Sequence, residues 1–254
     1  MSLTVATAQG LRDYQEDRSF TYKSELGTVL AVFDGHGGEE TAEWLGVNLP
    51  SLLVEELAVK APKDALEKVF KRADEVTHNN HAGSTATVVF IPTDKVNAYI
   101  AVLGDSPVIA KFSSGLRHVS PEHNVRTNLA ERAAAEARGG FYSGGYIYNS
   151  DLGRGLQMGR AFGDAGLGKI VSKEPEIYDI PLGDWLLVCS DGAVDPGHKD
   201  SQSVIDKVVK MIEAPPYTKE RVNETQELAT ASDIVKRALK ADTHDNVTAI
   251  LWRR

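Results

Sequence analysis

Asp34-Gly35-His36-Gly37-Gly38 sets a carboxylate, a peptide carbonyl and an imidazole within three residues, among glycines that let the backbone turn sharply and approach a ligand. Such a turn can bind a hard metal ion and move a proton. Alone it says little, because an Asp-Gly step after a strand is usually an ordinary turn. The pattern recurs, however. Ser190-Asp191-Gly192, with Asp195 four residues beyond Asp191, closes the apolar run Trp185 to Cys189, and Gly104-Asp105-Ser106 closes Ala98 to Leu103. Asp245-Asn246 stands just before the run Val247 to Trp252, and Glu16-Asp17 follows Arg12 near the N-terminus. If these strands lie side by side, the carboxylates converge at one end of a sheet. Unpaired, they would repel one another and raise each other's pKa values. A cluster of that kind calls for cations, and all-oxygen ligation suits Mg²⁺ or Mn²⁺ rather than zinc.

The elements that must position these groups are legible in outline. Val29 to Phe33 reads as the strand that delivers Asp34, and further strands are expected at Thr85–Ile91, Asn97–Leu103, Val108–Phe112 and Val247–Trp252. Leu66, Val69, Phe70, Ala73 and Val76 follow helical spacing, with Pro62 and Asp64 suited to a helix start. Gly38 to Val59 also reads as helical, broken or kinked near Pro50. Helices are expected at Thr127–Ala137, ended by Gly139-Gly140, and at Ser203–Ile212 and Arg221–Leu239. Strands outnumber obvious βαβ crossovers, which favours antiparallel sheets covered by helices. Ser120 to Gly159 is the least regular region, and its glycine density predicts a mobile surface segment.

Composition sets limits. A chain of 254 residues can bury a sizeable core in one large α/β domain. One residue in four is charged and no long apolar run is present, which argues against a membrane span. The N-terminus lacks a hydrophobic signal core, so a cytoplasmic protein is expected. The net charge of −8 argues against nucleic-acid binding, because no basic patch is available to displace counterions from phosphates. Cys189, the sole cysteine, sits in an apolar run and reads as a buried structural thiol.

In order and spacing, Arg12…Glu16-Asp17, Asp34-Gly35-His36-Gly37-Gly38, Gly83-Ser84-Thr85, Gly104-Asp105-Ser106, Arg160-Ala161-Phe162-Gly163-Asp164, Ser190-Asp191-Gly192…Asp195 and Asp245-Asn246-Val247-Thr248 resemble the motifs of the metal-dependent protein serine/threonine phosphatases, the PPM or type 2C family. The resemblance runs from Arg12 to Trp252. It implies an α+β fold: a four-layer α-β-β-α sandwich of two mainly antiparallel sheets flanked by helices. Residues 1–254 would form a single catalytic domain, with a flap at roughly 120–159 beside the metal site contributing to substrate choice. The implied reaction, with a role in signalling, is hydrolysis of phosphoserine and phosphothreonine in proteins by a hydroxide bridging two Mn²⁺ or Mg²⁺ ions. In that scheme Asp34 bridges both ions and Asp191 and Asp245 complete the first. The carbonyl of Gly35 binds the second, with Glu16 and Asp17 holding its waters. Asp105 and Asp195 match positions that hold a third, weaker ion in some members, or else Asp105 caps a turn. Arg12 would clamp the phosphate, or merely neutralise Asp13 or Asp17. His36 would protonate the departing oxygen, since imidazoles titrate near working pH, or would only hydrogen-bond a carboxylate.

Phosphorylated proteins are the expected partners, without nucleic acid or membrane, and a monomer without an appended regulatory domain is expected. Tyr148 and Arg154 of the flap are candidates for contact with a phosphoprotein, or ordinary surface side chains. One departure from the family pattern is Pro107, where an arginine commonly follows Gly-Asp-Ser. Two rivals remain open: a catalytically silent pseudophosphatase retained as a binding scaffold, and another two-metal hydrolase such as a nuclease. The retained Asp34, Asp191 and Asp245 weigh against the first. The acidic balance weighs against the second.

Overall fold

The computed structural model describes residues 1–112, 114–150, 153–195, 201–214 and 228–254. Two five-stranded antiparallel sheets form its centre. The first runs β1 (Ser2–Ala8), β16 (Val247–Arg253), β15 (Trp185–Cys189), β8 (Val108–Lys111) and β9 (Arg117–Val119). The second runs β14 (Glu176–Pro181), β7 (Asn97–Leu103), β6 (Ala86–Pro92), β3 (Gly27–Phe33) and β2 (Arg18–Lys23). Alternation along β3 shows how the layers are built. Leu30 and Val32 point into the sandwich against Val188, Ile250 and Trp252, while Val29, Ala31 and Phe33 point to the other face. That face is covered by α1 (Glu40–Leu57) and α2 (Pro62–Thr77). The outer face of the first sheet, with Leu187, Cys189, Ala249 and Leu251, packs on α4 (Ser201–Glu213) and α5 (Ala231–Lys240). The layers are therefore α-β-β-α. Strands buried on both faces read as continuous apolar runs, which is why these stood out in the sequence.

Three expectations need correction. Helix α1 is not broken at Pro50 but continues to Leu57. An interior proline costs about 3 kcal/mol, whereas burying Leu45, Leu49 and Leu53 contributes about 1.5–3 kcal/mol each. Packing wins over propensity. The last helix begins at Ala231, not Arg221: Thr230 and Asp233 form a reciprocal capping box that starts it there. Residues 221–227 of the expected span lie outside the described residues. The glycine-dense segment is also more regular than expected. It carries α3 (Leu129–Ala137), capped by the Asn128 side chain, and a small sheet of β10 (Phe141–Ser143), β11 (Tyr146–Asn149) and β12 (Arg154–Leu156). Its glycines serve tight turns: Gly144 and Gly145 take positive φ between β10 and β11.

No helix among the described residues is long and apolar enough to cross a membrane. Burial, then Asp191 and Asp17, push the Cys189 thiol pKa upward, consistent with an inert thiol. The carbonyl of Pro107 accepts from the Cys189 amide at 3.2 Å, so the residue in the arginine's place joins the β8–β15 edge through its backbone.

Candidate metal and phosphate site

A cleft of about 170 Å³ opens at one end of the sandwich, lined by Arg12, Asp34, Gly35, His36, Asp105, Asp191 and Asp245, with Tyr146, Gly155, Leu156, Gln157 and Met158 from the flap side. Each carboxylate comes from a different chain segment. Asp34 follows β3, held on both sides by Thr85: the Asp34 amide donates to Thr85 Oγ1 at 3.0 Å, and the Thr85 amide donates to the Asp34 carbonyl at 2.9 Å. Asp191 opens a 3-10 turn directly after β15, and Asp245 stands just before β16. Because β15 and β16 are antiparallel neighbours, the end of one and the start of the other meet at the same edge. Asp105 follows β7 through Gly104, whose φ of +110° would strain any other residue.

Asp17 lies behind the cleft, buried, accepting from Ser190 Oγ at 2.9 Å. Glu16 turns away: its Oε1 accepts from the Gly38 amide at 2.6 Å, fixing the glycine turn beside His36. The loop carrying Arg12, Glu16 and Asp17 is tied down by Asn246. Its Oδ1 accepts from the Glu16 amide at 2.7 Å, and its Nδ2 donates to the carbonyls of Gln9 and Tyr14 at 2.8 and 2.9 Å. Sequence reasoning gave Asn246 no role, and its place beside Asp245 was the available signal.

Charge dominates this cleft. Burial, followed by repulsion from Asp17, Asp191 and Asp245, raises the Asp34 pKa well above the carboxylate range. Burial with Asp105 and Asp245 does the same to Asp191, and burial pushes Asp17 up to about 6. Asp17 Oδ1 and Asp191 Oδ1 are buried without a hydrogen-bond donor among the described residues. Orphaned carboxylate oxygens in an anionic cluster fit hard divalent cations with oxygen ligands. Arg12 brings a positive charge to the cleft: its Nη2 donates to Asp245 Oδ2 at 2.8 Å and its Nε to the His244 carbonyl at 2.9 Å. The rival reading paired Arg12 with Asp13 or Asp17; its hydrogen-bonded carboxylate is Asp245, and it acts on Asp17 only through its charge. Burial opposes the Arg12 charge, but Asp245, Asp34 and Asp191 outweigh it and raise the guanidinium pKa. Half exposed, this side chain is free to meet an entering anion.

These shifts predict the pH dependence of the metal-free protein. A carboxyl whose folded pKa is raised above its unfolded value of 3.8 binds more protons in the folded state between the two values. Stability in EDTA therefore falls as pH rises from about 4 through 6. Thermal melts in EDTA across that range check this. A melting temperature that climbs with pH would contradict it.

His36 is set by a second piece of architecture. Short strands β4 (Gly35–His36), β5 (Gly83–Ser84) and β13 (Phe162–Gly163) form a three-stranded sheet, with Gly83 between His36 and Gly163. His36 Nε2 lies 2.7 Å from Asp164 Oδ2, and Asp164 is almost wholly buried. A Cβ on Gly83 would stand 2.1 Å from His36 Nε2 and 2.2 Å from Asp164 Oδ2, so only glycine fits there. Lys173 braces the turn, its Nζ donating to the carbonyls of Ala161 and Gly163, both at 2.7 Å. With Nε2–H given to Asp164, His36 Nδ1 is left buried beside the cleft without a partner among the described residues. Asp164 was visible in the Gly163-Asp164 step but not assigned.

Two other features compete for notice. His123, Glu131 and Glu176 cluster closely enough to hold an ion. His123 Nδ1, however, accepts from the Gly104 amide at 3.0 Å, which puts the neutral ring's proton on Nε2, and Arg160 already grips both oxygens of Glu131. That group is a structural network. A larger, mainly apolar groove of about 410 Å³, lined by Phe20, Tyr22, Val47, Pro50 and Val54 with Ser51 and Glu55, lies between β2 and α1. In the flap, Arg154 Nη2 donates to the His81 carbonyl at 2.8 Å and Tyr148 packs on Tyr146 with ring centroids 6.1 Å apart.

Known proteins share the family pattern and the fold. The family model described as Protein phosphatase 2C matches residues 2–247. Probable protein phosphatase 2C 11 of Arabidopsis thaliana is 33% identical over 205 residues, covering 77% of this chain and 54% of that protein. Protein phosphatase fem-2 of Caenorhabditis elegans is 28% identical over 266 residues, covering 96% and 56%. Among solved structures, a C. elegans sex-determining protein superposes with a TM-score of 0.78 at 26% identity, over 98% of this chain and 64% of that one. A serine-threonine phosphatase 2C from Toxoplasma gondii superposes at 0.72 with 18% identity, over 98% and 93%, which bears on the fold alone. The chain thus spans between about half and two thirds of the length of the first of these relatives. With the ordered motifs, the layered fold and the family match in agreement, the chain belongs to the protein phosphatase 2C family.

Proposed function

We propose that this chain hydrolyses phosphoserine and phosphothreonine esters in proteins, using Mg²⁺ or Mn²⁺ held at the carboxylate cluster. The observation that carries this reading is the convergence of Asp34, Asp191 and Asp245, with orphaned oxygens on Asp17 and Asp191, beside both Arg12 and His36. Asp34, Asp191 and Asp245 would hold the ions with the Gly35 carbonyl, while Asp17 and Glu16 back them. Bound there, the ions would supply an acidified water and positive charge against the phosphoryl oxygens. Arg12 would swing from Asp245 to grip two phosphate oxygens, which a planar guanidinium matches. His36, held through Nε2 by Asp164, would give a proton from Nδ1 to the departing serine or threonine oxygen. Asp164 would hold the ring in that orientation through Nε2, as a buried carboxylate does in other histidine dyads.

The test is phosphate release from a phosphothreonine peptide with and without Mn²⁺. Metal-dependent release is the expected result. A folded, Mn²⁺-saturated protein that releases none from phosphothreonine or phosphoserine peptides would instead favour the silent scaffold.

A further inference from the structure

Asp105 and Asp195, the two carboxylates whose positions suggest a third ion, are both already engaged. Asp105 Oδ2 accepts from Asn124 Nδ2 at 2.9 Å, and Asp195 Oδ2 accepts from Arg126 Nη2 at 2.8 Å. The two contacts are coupled, because Asn124 Oδ1 also accepts from the Arg126 amide at 3.0 Å. One almost fully buried asparagine thus orients Asp105 and fixes the backbone from which Arg126 reaches Asp195. The guanidinium is itself three-quarters buried, and Asp195 is held on its other side by its own amide, which donates to the Asp191 carbonyl at 2.6 Å. Arg132 secures the same turn, its Nη2 donating to the Arg126 carbonyl at 3.0 Å while its guanidinium stacks over Tyr142 of the flap at 3.7 Å.

A guanidinium cannot be deprotonated in a protein, so it is a permanent cation. A divalent ion seated between Asp105 and Asp195 would face that charge at close range and compete for the same Asp195 oxygen. The Arg12–Asp245 pair differs in burial: Arg12 is about half exposed and can leave its partner, whereas Arg126 is held within the fold, facing the carboxylates of Asp195, Asp105 and Glu122. We propose that Arg126 takes the place of the third cation in this chain, so that the protein binds two divalent ions and excludes a third. This rests on the reading of the main cluster as a two-ion site. It ties the shelf under the flap to a fixed charge that does not vary with metal concentration.

The experiment counts Mn²⁺ by electron paramagnetic resonance of the free ion at rising concentration, for the wild type, Arg126→Gln, Arg126→Lys and Arg126→Gln/Asp195→Asn. The wild type and the lysine variant should saturate at two ions. Arg126→Gln should gain a third, weaker one, and the double variant should lose it again. A wild type that takes up three ions overturns this inference while leaving the two-ion reading intact. An Arg126→Gln protein that melts cooperatively yet stays at two also overturns it. A wild type that binds fewer than two sinks both readings.

Discussion

Asp191→Asn protein is expected to lose phosphate release from a phosphothreonine peptide by about 10³-fold or more, and to melt at a higher temperature than the wild type when both are in EDTA. The two effects have one cause. In the metal-free protein Asp191 is buried among Asp105, Asp245 and Asp17, and its charge is opposed by all of them. Replacing it with a neutral side chain of the same shape relieves that repulsion. For a domain of 150–250 residues each kcal/mol relieved raises the melting temperature by about 2–4 °C. Under the proposed function the same change removes a metal-binding carboxylate, one whose Oδ1 has no donor among the described residues. Metal ions supply several kcal/mol of transition-state stabilisation, and each 1.36 kcal/mol is about tenfold in rate. Saturating Mn²⁺ should reverse the order of melting, raising the wild type more than the variant. Lower stability of Asp191→Asn in EDTA would mean that the carboxylate is structural and the cluster is not strained by charge.

His36→Ala should reduce turnover of the phosphothreonine peptide by about 10²–10⁴-fold, the usual contribution of a placed general acid. An aryl phosphate, whose leaving group needs no proton, should lose far less. Mn²⁺ binding should be unchanged, because His36 faces Asp164 rather than the carboxylate cluster. Asp164→Asn should show the same split between substrates at smaller amplitude, since the imidazole stays but its orientation is no longer held. Gly83→Ala should mimic it, because the added methyl would occupy the space between His36 Nε2 and Asp164 Oδ2. Equal losses on both substrates would remove His36 from the acid role and leave it a support for the Gly37-Gly38 turn.

Much of this cleft's lining is legible in the sequence, and for a definite reason. Strands buried on both faces are apolar throughout, so the first carboxylate after each run marks where the strand leaves the sandwich. Asp34, Asp105 and Asp191 were found in that way, and Asp245 by the same logic at the start of β16. Helix α2 announced itself through apolar spacing and Pro62 at its first turn. The first residue of α5 and the continuity of α1 through Pro50 were harder to see. One depends on a cap whose two halves are read only together, and the other on burial that outweighs a local penalty.

The sequence by itself determined which residues could hold a cation, that oxygen would be the donor, and that strands rather than helices would carry those residues. Only the tertiary structure decided how each was used. Asp164 lies 128 positions from His36, and Asn246 lies 230 from Glu16, separations at which no local pattern survives. Gly83 matters because two other strands bring His36 and Asp164 to either side of it. Asp105 and Asp195 look alike in sequence to Asp34 and Asp191, yet Asp105, although it lines the same cleft, accepts from Asn124, and Asp195 accepts from Arg126. A carboxylate's role is set by the charges that face it across the fold. Those are fixed by sheet register and packing, not by its neighbours in the chain.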